Sequence, residues 1–331
     1  MALSEIICTI GPATADPDSW GRLLDAGATG FRIPFAKETP DLQFERALQL
    51  SRRAGERFHI YADLPGDAPR TANAGPVELR PGVVELIAAN GTGQGGRDSG
   101  LPVQGLDRVA AGVAGGTWLS FGDGELGGYV RSVDGSRIAI EVVAGGTLRQ
   151  RRRISWLGCE ESTRTLGAYD LQLLRDPRMR SFTGVMISYV RSADVVKRAR
   201  AEVVEGHELS VCAKVEDTTA VANIEQIGES ADSVLVGQGD LLTSSGVEDF
   251  VRSIQRVVGW RRSGGRGTLL VGTGLLEGFA AGAPTRAELG YLALLRTAGV
   301  DGIMLSAETT IGDDPERVVR LARLALGGAS R

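Results

Sequence analysis

Lysine, histidine, cysteine and aromatic residues are all scarce in this 331-residue chain. Three lysines (Lys37, Lys197, Lys214) and two histidines (His59, His207) occur, and thirty-four of the 37 basic residues are arginine. A histidine-based zinc site or a Ser-His-Asp triad would have to use one of only two histidines, so neither is expected. The three cysteines, Cys8, Cys159 and Cys212, are an odd number at no metal-like spacing. They read as reduced, mostly buried thiols of a cytoplasmic protein. No apolar run is long enough to span a bilayer, and the start MALSEIICTIGP lacks the basic region of a signal peptide. A net charge of −4 gives no electrostatic reason to expect nucleic acid or a membrane surface as partner. What is present, 42% apolar and 24% charged residues, is ordinary for a soluble globular protein. The length suits about two domains. Against so arginine-rich a background a retained lysine needs a reason, because a planar guanidinium does not mimic a compact ammonium.

Short β-rich apolar runs alternate with amphipathic helical stretches along the chain. The strands read as Glu5–Ile10, Gly30–Phe35, Phe58–Asp63, Gly184–Val190, Leu209–Glu216, Ser233–Gly237, Thr268–Thr273 and Gly302–Ser306. Helical segments between them include Leu42–Ala54, Ala193–Val204, Val247–Arg261 and Glu288–Ala298. Eight strand–helix units predict a closed parallel (β/α)8 TIM barrel, with a doubly wound open sheet as the competing fold. From about Ala72 to Ile154 the helical period fades, and the text turns Gly-rich and strand-like, with Asp134-Gly135 as a hairpin signal. This predicts a small all-β domain (72–154) inserted after the third barrel strand, the barrel itself taking residues 1–71 and 155–331. Within the insert, NGTGQGGRDSG (Asn90–Gly100) lacks the Lys-Ser/Thr ending of a P-loop and reads as a flexible loop.

Barrels of this kind place their chemistry at the C-terminal ends of the strands. Thr9, Arg32, Asp63, Arg191, Lys214, Glu216, Asp240, Thr273 and Glu308 lie at or near those ends. Lys214 and Glu216 stand two apart on one strand and so share a face. They are read either as an ion pair closing the barrel mouth or as part of a site for a divalent metal and an anion. Asp240 offers a second carboxylate from the next strand, and two carboxylates with open positions suit Mg²⁺.

The ordered segments IICTIGPAT, GATGFRIPFAK, ADLPGDAPR, AKVEDTTAVANIEQIGESADSVLVGQGDL, PTRAEL and GIMLSAETTIGDDPERVV are similar, in register, to motifs of the pyruvate kinase family. The resemblance covers nearly the whole chain. It implies that Glu216 and Asp240 hold Mg²⁺ (or Mn²⁺), that Lys214 stabilises the phosphoryl group in transfer and the enolate, and that Arg32 binds phosphate. It further implies that Thr273 lies near C3 of the enolate, that the amides of Gly239 and Asp240 take the substrate carboxylate, and that Arg70 and Arg152 approach nucleotide phosphates. The implied partners are phosphoenolpyruvate or a related 2-oxo acid together with ADP or ATP; a homodimer is the base-rate expectation for assembly.

The departures from the family pattern carry their own expectations. Positions that commonly ligate K⁺ are Pro34, Ala36, Asp63 and Leu64, of which only Asp63 keeps a ligating side chain, so K⁺ is not expected. Lys37 stands where the family has His, Pro65 where it has Lys, Ala68 where it has Glu, and Gln238 where it has Arg. Lys37 reads either as a fixed ammonium near that position or as a solvent-facing side chain. The arginine run Arg151–Arg153 reads either as a phosphate contact or as a solvated strand end. The sequence stops after PERVVRLARLAL, so the family's C-terminal domain, and regulation through it, are not expected in this chain. The expected activity is Mg²⁺-dependent phosphoryl transfer in a specialised pathway. The alternatives are a 2-oxo acid lyase using the same enolate site without nucleotide, and a catalytically silent binding protein.

Overall fold

In a computed structural model, residues 5–54, 58–89, 100–122, 124–135, 137–158 and 166–327 are described. The chain divides into two compact units: Met1–Gly66 with Thr165–Gln238 and Val251–Arg331, and Asp67–Arg164 with Gly239–Phe250. The expected insert limits, 72 and 154, fall inside the second unit.

The first unit is built on eight parallel strands, Glu5–Thr9, Gly30–Pro34, His59–Leu64, Gly184–Ile187, Ser210–Val215, Ser233–Gly237, Thr268–Gly272 and Gly302–Leu305. They close into a barrel in sequential order, the first strand pairing with both the second and the eighth. Parallel strands buried on both faces read as continuous apolar runs, which is why they stand out in the sequence. The barrel interior is plugged by Ile7, Tyr61, Met186, Cys212, Leu235, Leu270 and Met304, one from each strand except the second. Cys8 and Cys212 are buried thiols, and burial pushes the Cys212 thiol up to about 12. Cys159 lies outside the described residues.

Helices follow the strands with conventional end chemistry. Asp16 caps Pro17–Ala26, Asp314 caps Pro315–Ala325, and Thr285 with Glu288 forms a reciprocal capping box for Arg286–Thr297. Helix Pro40–Ala54 begins two residues earlier than its expected limit, and Ala193–Glu202 ends two earlier. One expectation needs correcting more substantially. The helix read as Val247–Arg261 starts at Gln238, directly after the sixth strand, and runs to Arg262 with a non-helical break at Gly246 (φ 78°). The stretch before the break, GDLLTSSG, looks like a turn because Ser, Thr and Gly compete with helix formation.

The second unit carries a seven-stranded, mostly antiparallel sheet. Its order is Ile154–Trp156, Trp118–Phe121, Leu126–Asp134, Arg137–Ala144, Gly82–Ala88, Leu101–Gln104 and Arg70–Thr71. Only the pair Gly82–Ala88 with Leu101–Gln104 is parallel. A separate ribbon joins Val77–Leu79 to Gly146–Leu148. The expected hairpin is present: Arg137 pairs with Asp134, and Gly135 takes φ 56°, a left-handed turn position that glycine adopts without Cβ strain. The short helix Leu106–Val109 and the 3-10 turn Ala110–Gly112 that follows it were not foreseen by the all-β reading. The loop stretch 90–99 lies outside the described residues.

Leu86, Val103, Leu119, Phe121, Ile138, Ile140 and Trp156 form the core of this sheet. Ile138→Ala should destabilise this unit by about 2–5 kcal/mol, the range for truncating a buried aliphatic side chain. The check is denaturant unfolding of the variant, in which a midpoint equal to the parent's would remove Ile138 from the core.

Candidate active site

Side chains two apart on a strand share a face, so the layer above the apolar plug is written two residues further along each strand. Ile7 is followed by Thr9, Tyr61 by Asp63, Met186 by Ser188 and Cys212 by Lys214. A polar layer therefore lies on the hydrophobic plug, toward the C-terminal ends of the strands.

Asp63 binds two cations in this layer. Arg32 donates to Asp63 Oδ2 from both Nε (3.1 Å) and a terminal nitrogen (2.7 Å). The other terminal nitrogen of Arg32 donates to Thr9 Oγ1 at 3.2 Å, and that hydroxyl donates to the carbonyl of Leu305 at 2.7 Å. Lys214 Nζ lies 3.2 Å from Asp63 Oδ1 and 3.0 Å from Glu216 Oε1. The Oδ1 contact is an ion pair without hydrogen-bond alignment. Lys214 also donates to Ser188 Oγ at 3.0 Å, and Ser188 donates onward to the carbonyl of Leu64 at 2.7 Å. Lys214 is 6% exposed and Glu216 1%. Of the three lysines only this one is buried; Lys37 is exposed, and Lys197 pairs with Asp194 on a helix surface. The ammonium beside Asp63 is thus that of Lys214, and Lys37 is on the solvent side of its two readings.

Glu216 is fixed from two further directions. Its Oε2 accepts the amide of Tyr189 at 3.0 Å. Tyr189 holds φ 56°, a left-handed conformation that costs a bulky residue on the order of 1–3 kcal/mol. This turn ends the fourth strand at Ile187 rather than at the expected Val190, and it aims the amide at the carboxylate. On the other side lies Gly237, where a Cβ would stand 2.8 Å from Glu216 Cγ and 2.9 Å from Oε1. Any larger residue at 237 would push the carboxylate out of place.

The remaining expected residues are distributed as follows. Thr273 is half-buried immediately after the seventh strand. Glu308, fully buried, accepts amides from Leu275 (2.9 Å), Leu276 (3.1 Å) and Ser306 (2.7 Å). It pins the segment that follows Thr273. Arg191 pairs with Asp217 at 2.6 Å and takes no part in the cluster through that contact. In the second unit, Gly239 and Asp240 open the helix after the sixth strand, and Asp240 is bound by Arg153 at 2.5 Å. Arg70 and Arg152 occupy neighbouring backbone there: Thr71 and Arg152 exchange hydrogen bonds, and Arg70 bridges to Arg153. The run read as either a phosphate contact or a solvated strand end is solvated only in part, since Arg151 is exposed, Arg152 intermediate and Arg153 buried. Sequence reading missed Ser188, Tyr189 and Gly237. Ser188 was discoverable from the two-residue spacing to Met186. The others depend on backbone direction or cross-strand packing.

Hard carboxylate oxygens at Glu216 and Asp240 suit Mg²⁺ or Mn²⁺ in donor chemistry. Among the described residues no group of three His, Cys, Asp or Glu could hold a metal by itself. Mg²⁺ does not require one, since it binds through one or two carboxylates and keeps water or substrate oxygens. The barrel cluster pairs two carboxylates with two cations and is already neutral. A dication at Glu216 would therefore have to arrive with an anionic ligand whose charge offsets it.

Comparison with known proteins gives a consistent result. Residues 1–319 match the family described as "Pyruvate kinase, barrel domain". The chain is 29% identical over 327 residues to the pyruvate kinase of Corynebacterium glutamicum, covering 96% of this chain and 67% of that protein. It is 30% identical over 324 residues to the pyruvate kinase of Corynebacterium efficiens, covering 96% and 68%. The crystal structure of Cryptosporidium parvum pyruvate kinase superposes with a TM-score of 0.85 at 22% identity, over 98% of this chain and 70% of that one, a likeness of fold.

Burial alone would raise the Asp63 carboxyl, but the Arg32 and Lys214 charges outweigh it and hold it below the usual range. Its contribution to stability is complete above about pH 4, where a free aspartate titrates, and is lost as pH falls through its lower folded value. Asp63→Asn should cost about 3–5 kcal/mol, because the buried Lys214 and the partly buried Arg32 both lose a counter-charge. It should also flatten the acid limb of the stability profile. Thermal unfolding between pH 2 and 7, about the span in which carboxyls titrate, checks both.

Proposed function

This chain belongs to the pyruvate kinase family, and from that premise we propose that it transfers a phosphoryl group between phosphoenolpyruvate, or the enol phosphate of a related 2-oxo acid, and a nucleoside diphosphate. The observation that carries the proposal is the buried Lys214 ammonium, held between Asp63 and Glu216 at the C-terminal end of the barrel. Phosphoryl transfer needs alignment and charge neutralisation more than covalent help from the protein. A pre-positioned ammonium with little solvent around it supplies that neutralisation without reorganising.

In this reading Lys214 balances charge on the phosphoryl oxygens in flight and on the enolate oxygen left behind. Arg32, anchored to Asp63, presents its guanidinium to phosphate. The amides of Gly239 and Asp240, at the start of a helix, take the substrate carboxylate, since exposed amides at such a terminus favour anions. Thr273 stands by C3, where the enolate gains its proton. Arg70 and Arg152 face the nucleotide phosphates. Glu216 and Asp240 would hold Mg²⁺ or Mn²⁺, which supplies Lewis-acid stabilisation of substrate oxygens when bound.

Independence from K⁺ belongs to the proposal. Pro34 and Ala36 bring no side-chain oxygen, and Asp63 already has two cations. The altered positions Pro65 and Ala68 support a specialised rather than a housekeeping role. No helix among the described residues is long and apolar enough to cross a membrane, and a cytoplasmic setting is part of the same proposal. The relatives reported above are named as kinases, so the kinase reading is carried forward in preference to a lyase.

Calorimetry with Mg²⁺, ADP and the enolate mimic oxalate tests the reading. Oxalate and ADP should each bind in the presence of Mg²⁺; oxalate binding with no nucleotide binding would favour a lyase. Glu216→Gln should lower kcat by a factor on the order of 10²–10³, the loss typical of removing one pre-positioned electrostatic group, with the fold retained by circular dichroism. Unchanged turnover would take Glu216 out of the metal site. Replacing K⁺ in the assay with tetramethylammonium should leave the rate unchanged.

A further inference from the structure

Asp240 is already gripped by a cation for which the proposed reaction has no use. Arg153 reaches Asp240 Oδ1 at 2.5 Å. The guanidinium is buried, with the side chain 8% exposed, whereas the Asp240 side chain is 32% exposed. The carboxylate is accordingly the more exposed partner, while the arginine has little water to stabilise its charge.

Neither partner sits on loose backbone. The Arg153 carbonyl accepts the Gly122 amide at 2.9 Å, and the next amide, of Ile154, donates to the Pro69 carbonyl at 3.0 Å. The preceding residue is tied by the Thr71 amide to the Arg152 carbonyl (2.8 Å) and by the Arg152 amide to Thr71 Oγ1 (3.0 Å). On the Asp240 side, the Ser244 carbonyl accepts the Gly158 amide at 3.2 Å.

We propose that Arg153 competes with the divalent metal for Asp240. Without ligand the guanidinium holds the carboxylate. An anion of phosphate chemistry draws the guanidinium away and thereby opens Asp240 to the metal. The inference rests on the reading of Asp240 as a metal ligand. It makes metal and phosphate binding mutually reinforcing, as linkage requires when one contact opposes both.

Two variants test the two halves by binding rather than turnover. Arg153→Met removes the Arg153 cation from Asp240, so Mn²⁺ should bind about tenfold tighter than to the parent protein by paramagnetic resonance titration, within the usual range of coupling between sites. Asp240→Asn removes the carboxylate that binds the guanidinium, so inorganic phosphate in metal-free buffer should bind about tenfold tighter by calorimetry, within the same range of coupling. If Arg153→Met does not fold, the Asp240→Asn arm still decides. Mn²⁺ binding equal in parent and Arg153→Met, or phosphate binding unchanged in Asp240→Asn, overturns the competition and leaves the metal reading standing. Absence of Mn²⁺ binding to either protein in the presence of oxalate overturns the metal reading itself, and this inference with it.

Discussion

Two carboxylates and two cations share a largely buried layer at the mouth of the barrel, and their mutual neutralisation is the condition on which the rest depends. Charges taken out of water cost several kcal/mol each unless geometry and hydrogen bonds compensate. Here Arg32 reaches Asp63 through two nitrogens, Lys214 spans Asp63 and Glu216, and Glu216 takes a backbone amide as well. The surroundings serve this arrangement. Thr9 relays Arg32 to the eighth strand, Ser188 relays Lys214 to the third, Tyr189 bends against its preference, and position 237 has no side chain. A layer held this rigidly also suits catalysis, because it meets developing charge without rearranging.

The charged residues differ between the two units. In the barrel unit an ammonium, a guanidinium and two carboxylates form one cluster. In the unit containing the inserted sheet, Arg153 holds Asp240, and the backbone of Arg152 and Arg153 is hydrogen-bonded in place. Arginine is the natural cation for that contact, because its fork addresses carboxylate and phosphate oxygens alike.

The barrel was legible because buried parallel strands leave uninterrupted apolar runs, and seven of the eight expected strands end within a residue or two of those observed. The eighth expectation, Gly184–Val190, overran because a left-handed tyrosine leaves no mark in a sequence. Lys214 and Glu216 were legible from their two-residue spacing and from the rarity of lysine. Their partners were not: Arg32 meets Asp63 across neighbouring strands, and Lys214 meets Asp63 from two strands away, only through strand register, which periodicity does not encode. The helix start at Gln238 was hidden by Gly, Thr and Ser. In the run Arg151–Arg153, three identical residue types conceal one buried ion-pair partner, since composition carries no information on burial.

The grouping of Gly239–Phe250 with Asp67–Arg164 has a practical meaning for protein engineering. In the primary sequence the insert looks like a cassette with one entrance and one exit. In three dimensions it is a two-piece module, one piece threaded through the helix that follows the sixth strand. A hybrid that exchanged only the contiguous cassette with a relative would set a foreign sheet against native residues 239–250. Compatible grafts must carry both pieces, and sequence drift in the two should be correlated across the family.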